Sequence, residues 1–138
     1  MRVVTAEAAL AERLSTLLMY AGEAEAALDL YESLFSDLQV VRIEHYENGA
    51  AEGLIKQAEW TLAGHRFISI DSPVEQPFSF TPCMSLFVDC ADEPEIERLF
   101  GALSDGGAVL MPLDAYPFST RFGWVQDRFG LSWQLNLP

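Results

Sequence analysis

From Leu14 onward the chain runs twice through one order: strand, helix, strand, strand, strand. Nothing else in the sequence narrows the possible folds as much. A duplicated unit of this order predicts an α+β domain of two tandem βαβββ modules, forming curved mixed sheets that can curl around a cleft. At 138 residues there is room for one such domain and little else. The modules span about 14–72 and 82–137 of a single domain 14–138. Residues 1–13 precede the repeat as an extension, and Ala6, Ala8, Ala9, Leu10 and Ala11 favour helix there.

In the first unit, Leu14 to Tyr20 is apolar and strand-like, and Ala21-Gly22 breaks it. Glu23 to Phe35 is helical, because Ala24, Ala27, Leu28, Tyr31, Leu34 and Phe35 recur on one face. Leu38–His45, Lys56–Leu62 and Arg66–Asp71 follow as strands. Ala58, Trp60 and Leu62 share one side of the second of these. Pro73 to Pro82 holds three prolines and two phenylalanines, and it reads as a connection that packs down onto the domain.

The second unit starts over. Cys83–Asp89 is a strand. Asp92 is a plausible helix N-cap, with Pro94 tolerated in the first turn. Ile96, Leu99, Phe100 and Leu103 form the apolar stripe, and Gly106-Gly107 stops the helix. Ala108–Met111 reads as a short strand, Pro112–Phe118 as a loop, and Thr120–Gln126 and Leu131–Asn136 as the last two strands. They are joined by the turn Asp127-Arg128-Phe129-Gly130, where Asp127 can bond the turn backbone and Gly130 tolerates positive φ.

Charge excludes several partners. Against 21 Asp and Glu stand 8 Lys and Arg, a net −13. Nucleic acid needs clustered cations, and anionic membranes repel such a surface. No apolar run reaches the ~18 residues of a membrane helix. The N-terminus has no basic start followed by an apolar run, so no signal peptide is expected. Cys83 and Cys90 fit reduced thiols, and a cytoplasmic setting is the expectation.

Two stretches carry a resemblance. They are Met19-Tyr20-Ala21-Gly22-Glu23-Ala24-Glu25-Ala26-Ala27-Leu28-Asp29-Leu30-Tyr31-Glu32-Ser33-Leu34-Phe35 and Gly123-Trp124-Val125-Gln126-Asp127-Arg128-Phe129-Gly130-Leu131-Ser132-Trp133-Gln134. Met84 to Asp89 suits the fifth strand between them. Over about residues 14 to 137 the chain resembles the vicinal-oxygen-chelate (glyoxalase/bleomycin-resistance) superfamily. Within it the chain is similar to the PhnB-like group, often labelled 3-demethylubiquinone-9 3-methyltransferase. The resemblance implies a homodimer. It also implies metal-ligand positions on the first, fourth, fifth and eighth strands. These fall at Thr16, at Ser69 or Asp71, at or near Cys83, and at Gln134.

Divalent metals of this class take imidazole and carboxylate ligands. The residue types here depart from that set, so no metal or other cofactor is expected. The alternative is a metal-dependent lyase, isomerase or dioxygenase with an atypical site and Asp71 as a ligand. Asp71 also reads as a general base near the cleft, or as a cap before Pro73. A bound methyl donor usually requires a glycine-rich strand-to-helix turn, and Gly106-Gly107 follows a helix instead of opening one.

If Thr16 faces the cleft, so do Leu18 and Tyr20. The same alternation puts Ser85 and Phe87 beside Cys83, and Ser132 and Asn136 beside Gln134. Leu17, Met19, Met84, Leu86, Trp133 and Leu135 then pack under the helices. The candidate ligand-binding set is Thr16, Tyr20, Trp60, Ser69, Asp71, Cys83, Ser85, Phe87, Trp124 and Gln134. Neutral hydrogen-bonding groups among aromatics suit a small, partly apolar molecule. His45 and His65 read as surface residues, and Cys83 has no adjacent base to activate it. Phe78, Phe80 and Phe118 in Pro-rich segments suggest subunit contacts.

Overall fold

A computed structural model describes residues 14–138; the extension 1–13 lies outside them. The observed order is β1 (Thr16–Tyr20), α1 (Ala24–Leu34), β2 (Gln39–His45), β3 (Ile55–Leu62), β4 (His65–Asp71), β5 (Ser85–Asp89), α2 (Glu93–Ser104), β6 (Ala108–Tyr116), β7 (Ser119–Gln126) and β8 (Ser132–Leu137). The first four strands form one sheet in the order β1-β4-β3-β2, and the last four form another in the order β5-β8-β7-β6. The leading edge strand, β1 or β5, is parallel to its neighbour in each sheet, and the other pairs are antiparallel.

Each helix begins where a carboxylate meets its free amides. Asp71, at the end of β4, accepts from Gly22 N and Ala24 N through Oδ1 at 2.9 Å, and from Ile55 N through Oδ2 at 2.9 Å. It does for α1 what the N-cap residue Glu23 does not. In α2 the cap is local: Asp92 Oδ1 accepts from Glu95 N at 2.9 Å, and Glu95 reaches back to Ala91 N.

The core lies between the sheets. Trp60 and Trp133 are both fully buried, one on each sheet, with Tyr31 of α1 between them. Phe35 stacks on Trp133 at 5.6 Å. Ile96, Leu99 and Leu103 of α2 join Val125 and Leu135 in the same cluster. A polar chain runs through this junction. Tyr20 hydroxyl meets Tyr31 hydroxyl at 3.0 Å, Tyr31 donates to Asp127 Oδ2 at 2.7 Å, and Trp133 Nε1 donates to the same oxygen at 2.9 Å. Asp127 Oδ1 also holds Phe129 N and Leu131 N in the β7–β8 turn. Burial pushes both tyrosine hydroxyls far above the usual phenol range, so they stay protonated donors.

Four expectations need correction. β1 presents Leu18 and Tyr20 to the core and leaves Leu17 exposed, the reverse of the assignment that put Thr16, Leu18 and Tyr20 in the cleft. Tyr20 is drawn inward by the Tyr31 hydroxyl and by Phe80, whose ring lies edge-on at 5.0 Å. Phe80 is therefore half-buried and not a free contact residue, and Met84 is exposed instead of packing under a helix. The segment Pro112–Tyr116 is part of β6 and not a loop. β6 is an edge strand with repeated register shifts, which is where a sheet tolerates proline.

Candidate functional site

Both helices cover the same side of the second sheet, so its other side is open. Alternation places Ser85, Phe87 and Asp89 there from β5, Ser132, Gln134 and Asn136 from β8, and Phe122, Trp124 and Gln126 from β7. Gly123 and Val125 point toward α2. A Cβ at Gly123 would lie 2.6 Å from the Phe100 ring.

The open face has two halves. In one, Trp124 Nε1 donates to Ser132 Oγ at 2.8 Å, Ser132 Oγ meets Ser85 Oγ at 2.6 Å, and Gln134 Nε2 donates to Ser85 Oγ at 3.3 Å. The side-chain carbonyl oxygen of Gln134 takes no hydrogen bond among the described residues. The other half is aromatic. Phe122 is only 4% exposed because Phe87, Tyr116 and Phe118 surround it at centroid distances of 6.4, 6.0 and 5.1 Å. Tyr116 stacks on Phe118 at 5.5 Å. Phe87 and Phe118 remain 58% and 65% exposed. A groove of about 560 Å³ follows the free edge of β5, with Ser85 and Phe87 on one side and Phe35, Phe67 and Trp133 on the other.

Of the sequence-predicted candidates, the structure brings Ser85, Phe87, Trp124 and Gln134 together on this face. The others lie elsewhere. Trp60 donates to Ser69 Oγ at 2.9 Å inside the core, and Tyr20 and Asp71 are buried beneath α1. Thr16 Oγ1 meets His65 Nε2 at 2.8 Å. Cys83 is exposed, with its sulfur 2.9 Å from Thr81 Oγ1. His45 is exposed and bonded to Glu25, as expected for a surface residue. Sequence reasoning missed Phe122 and Tyr116. Phe122 was within reach, because it stands two residues before Trp124 and so shares its side of β7.

The fold implies a divalent metal, but the residues present do not fit one. Both Asp71 oxygens are already taken by three backbone amides, which face α1 and not the open side. Thr16 and Ser69 point into the core side, Gln134 points away from it, and Cys83 precedes β5. Among the described residues no three His, Cys, Asp or Glu converge closely enough to hold an ion. A nucleoside methyl donor fits no better. The strand-to-helix turn at Gly22 has its amides occupied by Asp71, and the turn into α2 has Asp92 and Glu95 in the same role. No helix among the described residues is long and apolar enough to cross a membrane.

The sequence profile of the family described as 3-demethylubiquinone-9 3-methyltransferase matches residues 12–136. A Bacillus cereus structure described as a putative 3-demethylubiquinone-9 3-methyltransferase, PhnB protein, is 48% identical, with a TM-score of 0.88 over 92% of this chain and 100% of that one. Protein PA1353 from Pseudomonas aeruginosa is 25% identical, with a TM-score of 0.78 over 92% and 98%. The fosfomycin resistance protein FosX from Mesorhizobium loti shares 11% identity and a TM-score of 0.63 over 94% of each chain, a likeness of fold. No functionally curated protein matches.

Proposed function

We propose a binding role for this chain, which belongs to the 3-demethylubiquinone-9 3-methyltransferase family and, with it, to the PhnB-like group of the vicinal-oxygen-chelate superfamily. The open face of the second sheet holds a small, partly apolar ligand without a metal. The observation that carries this reading is the hydrogen-bonded set Trp124, Ser132, Ser85 and Gln134 lying beside the exposed ring of Phe87. A fixed array of neutral donors and acceptors next to bare aromatic surface is what orients a flat molecule of mixed polarity. Among the described residues no titratable nucleophile or base stands on the polar half of that face, which favours binding over turnover.

The protein acts as a homodimer in this reading. Each sheet is open on one side, and among the described residues β1 and β5 are edge strands that pair on one side only. Leu17, Phe87 and Phe118 are all more than half exposed on these surfaces. The open side of the first sheet carries Met19, Ile68 and Ile70 with Leu17, an apolar surface suited to close over the face of a second copy. The free thiols Cys83 and Cys90 suit a reducing, cytoplasmic setting.

The test is thermal-shift screening against small aromatic metabolites and antibiotics, followed by titration of hits with Trp fluorescence as the readout. Phe87→Ala and Gln134→Ala should each weaken a hit about tenfold, the order expected for losing one aromatic or hydrogen-bonding contact. Hits insensitive to both changes would sink the site. Stoichiometric metal retained after dialysis against Mn2+, Fe2+, Ni2+ or Zn2+ would overturn the metal-free reading in favour of a lyase, isomerase or dioxygenase.

A further inference from the structure

The charge around the open face narrows the ligand class, given the reading above. Asp89 stands on this face of β5 opposite Asn136, which donates to its Oδ1 at 2.8 Å. Asp114 stands opposite Phe122 in the β6–β7 register and is exposed. Two carboxylates therefore border the aromatic half.

Among the described residues of one protomer, no cation stands on this face. Arg121 lies on the neighbouring strand, but its guanidinium is turned to α2, where Nη1 bonds Glu93 at 2.6 Å and Glu97 at 2.9 Å. Arg98 reaches the groove at the β5 edge from α2, on the helix side of the sheet, and donates there to Leu34 O, while Arg128 faces Asp105 at 3.5 Å. Arg42, Lys56 and Arg66 belong to the first sheet and are held by Gln57, Glu44 and Glu59. These six are all the Lys and Arg of residues 14–138.

We infer that the ligand is a flat aromatic carrying positive charge. Its ring would lie against Phe87 and Phe118, and its charge would sit between the aromatic faces and the carboxylates of Asp89 and Asp114. An aromatic ring attracts a cation over its face, and the attraction grows where water is excluded. Bordering acids add to it, and on the face itself an anionic ligand would meet two carboxylates and no cation of the same protomer.

The experiment uses three bicyclic probes of one size, N-methylquinolinium, quinoline and quinoline-2-carboxylate, at pH 8 and about 150 mM salt, where charges more than ~8 Å apart are screened. The cation is expected to bind at least tenfold more tightly than the neutral probe, with the anion weakest. Phe118→Ala and Asp114→Asn should each reduce cation binding by threefold or more. Glu32→Gln, an exposed acid on α1, should leave it unchanged. If all three probes bind equally and lose affinity on Phe87→Ala, the binding face stands and the charge preference falls. If Glu32→Gln weakens the cation as much as Asp114→Asn does, the attraction is that of a −13 surface as a whole, and the inference is overturned. If no probe binds, the inference is again overturned, while the metabolite screen still decides whether the face binds at all.

Discussion

Asp71 shows how one side chain can organise a module. Its two oxygens satisfy backbone amides from the β1–α1 turn, the first residue of α1 and the start of β3. A buried amide left without a partner is destabilising by about 1–3 kcal/mol. Asp71→Ala leaves three, so a loss of at least ~3 kcal/mol is expected in urea unfolding, and a loss below ~1 kcal/mol would refute the capping role. Asp71→Asn keeps the Oδ1 bonds and should lose about half as much. Cys90 offers a second test. Burial pushes its thiol up to about 11, with Glu95 nearby adding to the effect. A raised pKa in the folded state stabilises below the ordinary thiol value of ~8.5 and is lost as pH rises toward about 11. The urea midpoint should therefore fall across that alkaline window, more steeply than in Cys90→Ala. The buried tyrosines add loss of the same sign above ~10 in both proteins.

At the scale of elements, the second module's glycines have opposite roles. Gly101 sits on the exposed side of α2, where an added methyl would have nothing within 4 Å, so Gly101→Ala should stabilise by about 0.5–1 kcal/mol. A Cβ at Gly107 would run into the backbone carbonyl of Gln126, so Gly107→Ala should destabilise by ~2 kcal/mol or more as β6 is pushed off β7. Thermal unfolding of the two variants checks both signs. The sequence made these elements legible because the stripes Ala24–Phe35 and Ile96–Leu103 have helical spacing and the strands between them alternate. β6 escaped because Pro112 signals a loop, and only its place at the sheet edge allows it to stay in the strand. The first module's face escaped for a related reason. Leu17, Leu18, Met19 and Tyr20 are all apolar, so β1 has no alternation to read, and a hydroxyl bond to Tyr31 decides which pair turns inward. In β5 and β8, Ser85, Ser132 and Gln134 interrupt the apolar residues, and there the open face could be read in advance.

For the molecule as a whole, the two modules are joined through polar as well as apolar contacts. Asp127, from the last turn, is held by a hydroxyl from the first helix. Tyr31→Phe removes that donor from a buried carboxylate, and a loss of about 1.5–3 kcal/mol is expected, as for a hydrogen bond to a charged group. Asp127→Asn should lose comparably, and the double variant should lose less than the sum, because the two changes break one bond. Additive losses in denaturant unfolding would show that the contact carries no coupling.

The same bond has a consequence for any attempt to take the repeat apart. Although the chain is two copies of one unit, neither copy owns its interior. The second would carry a carboxylate missing its phenol and an indole missing the ring stacked on it, and the first would expose the matching surface. A cut in the stretch around Val74 and Phe78 should therefore produce a split pair: two fragments that stay unfolded apart and restore each other when mixed.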